Sequence, residues 1–127
     1  MRRMFEQALV DFPQHRPKAL SSDPYVLQFE DMVTAEEADE IVGRCTTKFE
    51  RSMAGDQVSP VRTSSQCWCD DANGDCTRHP SVVALTERML NITKLPTGNA
   101  EYLQILKYEP GQFYKVHHDQ RTLCRLP

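Results

Sequence analysis

The sequence lacks any long apolar run. No stretch of it approaches the roughly 20 consecutive apolar residues that a membrane helix needs, so no membrane segment is expected. Its start, Met-Arg-Arg-Met-Phe-Glu-Gln, has two positive charges but no apolar core of signal-peptide length. Basic clusters are also missing, because 15 Lys and Arg residues stand against 18 Asp and Glu, and the net charge is -3. We therefore expect no nucleic-acid partner.

Internal repeats and low-complexity segments are absent too. Hydrophobic residues make up 39% of the 127 residues and charged residues 26%, which lies near the range of ordinary globular proteins. This length predicts at most one domain with its own core.

Five cysteines are present, an odd number. Cys67, Cys69 and Cys76 lie close together, and two hypotheses fit them: a bridge from Cys76 to Cys67 or Cys69, or a Cys3His zinc site completed by His79. Cys45 lies on a predicted helix stripe and is interpreted as a small core residue.

Asn91-Ile-Thr93 is an N-glycosylation sequon within a predicted helix. Together with the cysteines it hints at an oxidising compartment.

The N-terminal half predicts a leader, a strand and a helix. Residues up to about Pro24 contain several prolines and little periodicity, so we expect an irregular leader. Alternation over Tyr25–Phe29 predicts a strand. Thr34-Ala-Glu-Glu37 is typical of a capping box that begins a helix, and an apolar stripe from Ala38 to Phe49 follows at helical spacing.

The middle of the chain predicts a further strand and helix. Val61–Trp68 has the composition of a strand with polar insertions. In it Arg62 would by default lie on a solvated edge, a reading that its neighbours make doubtful. Pro80 suits the first turn of a helix that runs to about Thr93.

The most informative stretch runs from Glu101 to Asp119. Residues 102–108 alternate as a half-buried strand with Leu103 and Ile105 on one face. Glu109-Pro-Gly-Gln112 fits a type II turn. A returning strand would then place Phe113, Lys115, His117 and Asp119 on one face and His118 on the other.

His117 and Asp119, two residues apart on such a strand, aim an imidazole and a carboxylate at one point. They would supply two thirds of the 2-His-1-carboxylate triad that binds non-haem Fe(II).

With these residues in view, the sequence resembles the catalytic domain of prolyl 4-hydroxylases, which are Fe(II)- and 2-oxoglutarate-dependent dioxygenases. The specific part of the resemblance is Glu101-x-x-Gln-x-x-x-Tyr108-x-x-Gly-Gln-x-Tyr114-x-x-His117-x-Asp119. Weaker matches cover residues 26 to 100 and include Val61-Arg-Thr-Ser-Ser65.

The resemblance implies an enzyme whose site residues can be assigned by position. His117 and Asp119 match the first histidine and the aspartate of the iron site, and Tyr108 matches a tyrosine that holds 2-oxoglutarate. The positions that match the peptide groove are Arg62, Ser64, Glu101 and Tyr114. The implied cofactors are Fe(II), 2-oxoglutarate and L-ascorbate, and the implied substrate is a proline-rich or collagen-like peptide.

The family fold implies an α+β domain, with the N-terminal portion of a double-stranded β-helix (jelly roll), supporting helices and an incomplete sheet. The expected organisation is an irregular leader over residues 1–24, a partial dioxygenase domain over residues 25–119 and a divergent tail over residues 120–127. The family also implies the endoplasmic reticulum or secretory pathway, and the sequence predicts no oligomeric state.

The pattern departs from the family after Asp119. The family has a second iron histidine and a basic residue for 2-oxoglutarate further downstream, and residues 120–127 match neither. We therefore expect a C-terminally truncated domain with little or no turnover. One alternative is a non-catalytic module that binds proline-rich peptides, and another is a structural piece held by cysteines.

Overall fold

The computed structural model describes residues 2–55, 57–70, 72 and 75–118. These residues form a mixture of helices and antiparallel strand pairs, and none of the sheets they form is closed. This architecture is compatible with the predicted α+β class. The chain divides into two compact units: unit 1 is Met1–Thr46 with Trp68–Ile105, and unit 2 covers residues 47–67 and, in its described part, 106–118.

Unit 1 begins with a helix and a hairpin rather than an irregular leader. Helix α1 spans Arg2–Asp11, and strand β1, Pro17–Ser22, pairs antiparallel with β2, Tyr25–Phe29. The expectation of irregular structure before Pro24 is therefore wrong over most of that segment. Its apolar residues at 4, 5, 8, 9 and 12 have helical spacing, and the prolines that follow obscured this pattern.

Helix α2, Ala35–Gly43, begins at the predicted capping box. The Thr34 hydroxyl accepts a hydrogen bond from the Glu37 amide at 3.2 Å, and the Glu37 carboxylate accepts one from the Thr34 amide at 3.0 Å. The helix ends at Gly43, so Phe49 does not lie on it. The predicted stripe is correct only for its first turns.

Helix α3 spans Pro80–Thr93, as predicted, and contributes to two apolar clusters. Near its start Val82 packs in a cluster whose buried members are Ile41, Cys69, Cys76 and Val82, with Leu85, Leu103 and Ile105 against them. Near its end Ile92 packs in a cluster whose buried members are Ala8, Phe12 and Ile92, with Leu27, Phe29 and Met32 against them. None of the helices in the described ranges is long and apolar enough to cross a membrane.

Disulfides account for the buried cysteines. Cys69 and Cys76 are joined by a disulfide with a Cα–Cα distance of 5.2 Å, which confirms one of the two predicted bridges. Cys45 and Cys67 are also disulfide-bonded. Cys45 is a fully buried core residue, as predicted, but the prediction did not include its oxidation. The zinc hypothesis is wrong, because a zinc site needs thiolates and these sulfurs are oxidised.

Unit 2 consists of short strands. β3 is Glu50–Arg51, β4 is Met53–Ala54 and β5 is Gln57–Val58, and β4 and β5 form a tight antiparallel hairpin. β6 is Ser65–Cys69 and β7 is Leu103–Lys107, and the sheet has the order β3–β6–β7. The strand predicted from Val61 begins only at Ser65.

Candidate functional site

The stretch from Glu101 to His118 follows the predicted strand and turn. Leu103 and Ile105 of β7 pack against the first apolar cluster, as the alternation predicted. The Gln112 amide then donates to the Glu109 carbonyl at 2.9 Å, and Gly111 between them has a φ of +86°. Proline at the second position and glycine at the third therefore form the predicted type II turn.

The segment after the turn is not a regular strand. Only Tyr114 forms a ladder pair, an isolated antiparallel bridge with Arg62. The Thr63 amide donates to the Phe113 carbonyl and the Lys115 amide to the Val61 carbonyl, both at 2.8 Å. The predicted returning strand is therefore wrong, and it is replaced by a short pairing with the loop before β6.

The Thr63 side chain completes this pairing. Its hydroxyl accepts a hydrogen bond from the Phe113 amide at 2.7 Å and donates to the Phe113 carbonyl at 3.2 Å. A hydroxyl group thus takes part of the role of a strand's backbone groups. A pairing that depends on a side-chain hydroxyl has no periodic sequence pattern, so it cannot be predicted from alternation of residues.

The ring of Tyr114 stacks on the imidazole of His117. Their centroids are 3.7 Å apart and the planes differ by 21°. Residues three apart point to opposite faces of a regular strand, but the chain bends at Val116, whose side chain is fully exposed. The bend brings the two rings together, so the predicted division of faces does not hold here.

Arg62 is the buried cation of this group. Only 9% of it is exposed, so it does not lie on a solvated edge. Its Nη1 donates to the Met53 carbonyl at 3.0 Å, and its guanidinium carbon lies 4.6 Å from the centroid of the Tyr114 ring. Its buried Nε has no hydrogen-bond partner among the described residues.

Ser64 supports the loop that carries Arg62. It is fully buried, and its hydroxyl donates to the Ser52 hydroxyl at 2.9 Å while its carbonyl accepts from the Ser52 amide at 3.0 Å. The side chain is therefore engaged inside unit 2.

The structure does not join the remaining two predicted residues to this group. Tyr108 is 45% exposed and shares none of the bonds or ring contacts described above for unit 2. Glu101 is exposed in unit 1, where it lines a cavity of about 290 Å³ together with three threonines, Thr77, Thr86 and Thr97.

The hydrogen bond of His117 orients its ring. Its Nδ1 lies 2.8 Å from the Lys115 carbonyl oxygen, which can only accept, so Nδ1 is the donor. Metal-binding histidines are commonly held in this way by a backbone carbonyl. His118 is exposed, and Asp119 lies outside the described residues.

Of the two predicted iron ligands, only His117 lies within the described residues. Among residues 2–55, 57–70, 72 and 75–118, no three His, Cys, Asp or Glu side chains are grouped to hold an ion. The site found in unit 2 is the cluster of Arg62, Tyr114 and His117. The sequence predicted all three residues, and the loop Arg62–Ser64 that contains Thr63, but gave no sign of the contacts with Ser52 and Met53.

Sequence comparison finds relatives of one kind. Prolyl 4-hydroxylase 2 of Arabidopsis thaliana is 33% identical over 118 residues, which is 85% of this chain and 38% of the relative. Probable prolyl 4-hydroxylase 7 of the same plant is 35% identical over 88% of this chain and 37% of its own length. Prolyl 4-hydroxylase subunit alpha-3 of Bos taurus is 33% identical over 84% of this chain and 20% of its own length.

The chain thus spans less than two fifths of the length of these curated relatives. No family model matches it, and no solved structure does. The alignments nevertheless cover most of the chain, whereas the specific part of the resemblance covers only Glu101 to Asp119. Identity of about 30% at this coverage shows that the chain belongs to the prolyl 4-hydroxylase family.

Proposed function

We propose that this chain forms the N-terminal portion of the jelly roll of an Fe(II)- and 2-oxoglutarate-dependent peptidyl-proline 4-hydroxylase. His117 and Asp119 ligate the iron, and Tyr108 holds 2-oxoglutarate. Bound iron, with 2-oxoglutarate and oxygen, supplies the oxidising power that hydroxylates a proline ring, and ascorbate keeps the iron reduced.

One observation carries the metal part of the proposal. The hydrogen bond from His117 Nδ1 to the Lys115 carbonyl orients the ring, and the proposal therefore assigns Nε2 as the ligand atom. It occurs at the position that the family motif assigns to the first iron histidine.

The cluster of Arg62 and Tyr114 supports the peptide part of the proposal. Extended proline-rich segments lack internal hydrogen bonds and dock on aromatic surfaces, which their preset backbone reaches at low entropic cost. A tyrosine ring beside a buried guanidinium offers such a surface and a donor for a peptide carbonyl. Ser64, bonded to Ser52, holds the loop in place.

The 127-residue polypeptide by itself is expected to have little or no turnover. Two protein ligands should bind iron weakly. Formation of succinate from 2-oxoglutarate by the purified polypeptide, given Fe(II) and a proline-rich peptide, would contradict this expectation.

Metal binding tests the proposal directly. Anaerobic equilibrium dialysis with Fe(II) should show weak binding that His117→Ala and Asp119→Ala each abolish. His118→Ala is the matched control, because this exposed neighbour is assigned no ligand role and its loss should leave binding unchanged. Equal binding by all three variants would reject the assigned ligands.

A non-catalytic module that binds proline-rich peptides is the second candidate. It is favoured by the burial of Arg62 against Tyr114, a contact that does not depend on metal. Peptide affinity that survives His117→Ala and iron chelation but falls with Arg62→Met would support it. An exposed helix residue, Arg3, provides the control variant Arg3→Met, since it changes the same charge elsewhere.

The oxidised cysteines support an oxidising compartment such as the endoplasmic reticulum. Disulfides persist there and are rare in reducing compartments. Cys69 and Cys76 are both 1% exposed, so their bridge belongs to the core of unit 1.

A further inference from the structure

We infer that Asn91 is a site of N-linked glycosylation and that the glycan extends from the solvent face of α3. The sequon Asn91-Ile92-Thr93 closes that helix, and no proline lies within it or directly after it. The inference concerns the surface of unit 1 and does not depend on the proposed catalytic function.

The orientation of α3 supports this assignment. Asn91 is exposed, whereas its neighbour Ile92 is only 8% exposed and packs in the cluster of Ala8 and Phe12. Positions 83, 87 and 91 recur at intervals of four and are all exposed, so they form one solvent-facing line of the helix. A large substituent on Asn91 therefore meets solvent and leaves the packed face untouched.

The immediate surroundings of Asn91 are compatible with modification. Its Oδ1 accepts a hydrogen bond from the exposed Lys94 ammonium at 2.9 Å, and modification takes place at the other side-chain atom, Nδ2. Thr93 supplies the hydroxyl of the sequon, which donates to the Met89 carbonyl at 2.8 Å in the folded helix. Since the sequon is read on the extended chain, this bond can form after the transfer.

The disulfide in unit 1 is the independent observation. Cys69–Cys76 requires an oxidising compartment, which is where the glycosylation machinery of secreted proteins acts. The reaction needs a lipid-linked oligosaccharide pyrophosphate as co-substrate. A bond forms between Asn91 Nδ2 and the anomeric carbon, the bond from that carbon to the pyrophosphate oxygen breaks, the lipid pyrophosphate leaves and the amide proton passes to a base of the transferase.

The test is translation of the full chain, preceded by a cleavable signal peptide, in the presence of endoplasmic reticulum microsomes. We expect one slower-migrating band that peptide N-glycosidase removes, leaving an aspartate at position 91 in the tryptic peptide. Asn91→Gln and Thr93→Val should abolish the band, and Thr93→Ser should retain it.

A matched control places the sequon on the buried side of the same helix. The variant Asn91→Gln with Val82→Asn and Ala84→Thr carries its sequon at a position that is 4% exposed. Its glycan should prevent formation of the Cys69–Cys76 disulfide, measured by non-reducing peptide mapping, whereas the glycan at Asn91 should not.

Two results would overturn the inference. One is an unmodified Asn91 in chains that have lost the signal peptide and formed the Cys69–Cys76 disulfide. The other is a glycosylated Asn91 whose attachment prevents that disulfide as completely as the glycan at position 82 does.

Discussion

The two units differ in what fills their interiors. In unit 1 the buried side chains are mainly apolar, with two clusters along α3 and a disulfide. In unit 2 the fully buried side chains include Ser52, Ser64 and Gln66, and Arg62 is nearly buried with them. Apolar packing is non-directional, whereas buried polar groups must each find a partner.

The two units therefore depend on different kinds of contact for their stability. Unit 1 gains stability from area removed from water, and many sequences of similar pattern would serve. Unit 2 depends on specific donors and acceptors, among them the bond from Arg62 to the Met53 carbonyl and the serine pair. Of the described residues that the proposal assigns to metal or peptide, those in unit 2 are Arg62, Ser64, Tyr114 and His117.

The largest expected effect is on the free energy of unfolding of unit 1, whose buried side chains are mainly apolar. Phe12→Ala removes a side chain that is 7% exposed and packs with Ala8 and Ile92, so the free energy of unfolding should fall by about 3–5 kcal/mol. Val10 lies at the end of α1, two residues before Phe12, and is 75% exposed. Val10→Ala should therefore change that free energy by no more than about 0.5 kcal/mol in urea denaturation. Equal effects of both variants would refute the apolar cluster of Ala8, Phe12 and Ile92.

The disulfide comes next. Replacing both members, Cys69→Ala with Cys76→Ala, frees a loop closed over a sequence separation of 7 residues, and the free energy of unfolding should fall by about 2 kcal/mol on the chain-entropy argument. The comparison is with wild type under oxidising conditions. With reductant present the two proteins should converge, and a difference that persists there would mean that cavity formation, not the cross-link, is responsible.

Arg62→Met tests the contribution of the buried polar groups in unit 2. It removes the bond to the Met53 carbonyl and the contact with the Tyr114 ring, which together stabilise unit 2 by about 1.4 kcal/mol. Local opening should be about tenfold more frequent, so hydrogen exchange at the amides of residues 63 and 115 should accelerate by that factor.

The control for Arg62 is an exposed cation in the same unit. Lys115→Met removes a charge without removing a buried contact, and exchange at the Thr63 amide should stay unchanged. If both amides exchange as slowly in Arg62→Met as in wild type, the buried arginine does not stabilise the pairing between residues 61–63 and 113–115.

The smallest effect is electrostatic and lies in unit 1. The Glu37 carboxylate accepts a hydrogen bond from the Thr34 amide and pairs with Arg88, and these interactions lower its pKa below the ordinary 4.5. A lowered pKa in the folded state means that the stabilisation is complete above pH 4.5 and is lost as the pH falls through the folded-state pKa. Glu37→Gln should flatten the fall of the melting temperature below pH 4.5. If the melting temperature of the variant falls as steeply below pH 4.5 as that of wild type, Glu37 does not contribute to the loss of stability in acid.

Periodic stretches could be predicted from the sequence. β2 and α3 have the predicted bounds, and the capping box at Thr34 forms with both of its bonds. In each case the signal lies within a few neighbouring residues, so local rules suffice. Helix α1 also has apolar residues at helical spacing, but the prolines that follow it led to the wrong prediction of an irregular leader.

The sequence predicted which residues belong to the candidate site but not how they contact one another. Arg62 and Tyr114 are separated by 52 positions, and no local pattern says that one would cover the other. The stacking of Tyr114 on His117 contradicts strand periodicity because the bend at Val116 intervenes. Ser64 was predicted in the groove, and burial against Ser52 turns its hydroxyl inward.

The sequence by itself determined the family, the type II turn at Glu109–Gln112, helix α3, the start of α2 and the strands β2 and β7, because these depend on residue type and short-range spacing. Tertiary structure alone decided which cysteines are oxidised, that Arg62 is buried against a tyrosine ring, and which backbone carbonyl His117 contacts. These depend on groups far apart in the chain, whose distances and hydrogen-bond partners are fixed only when the chain has folded.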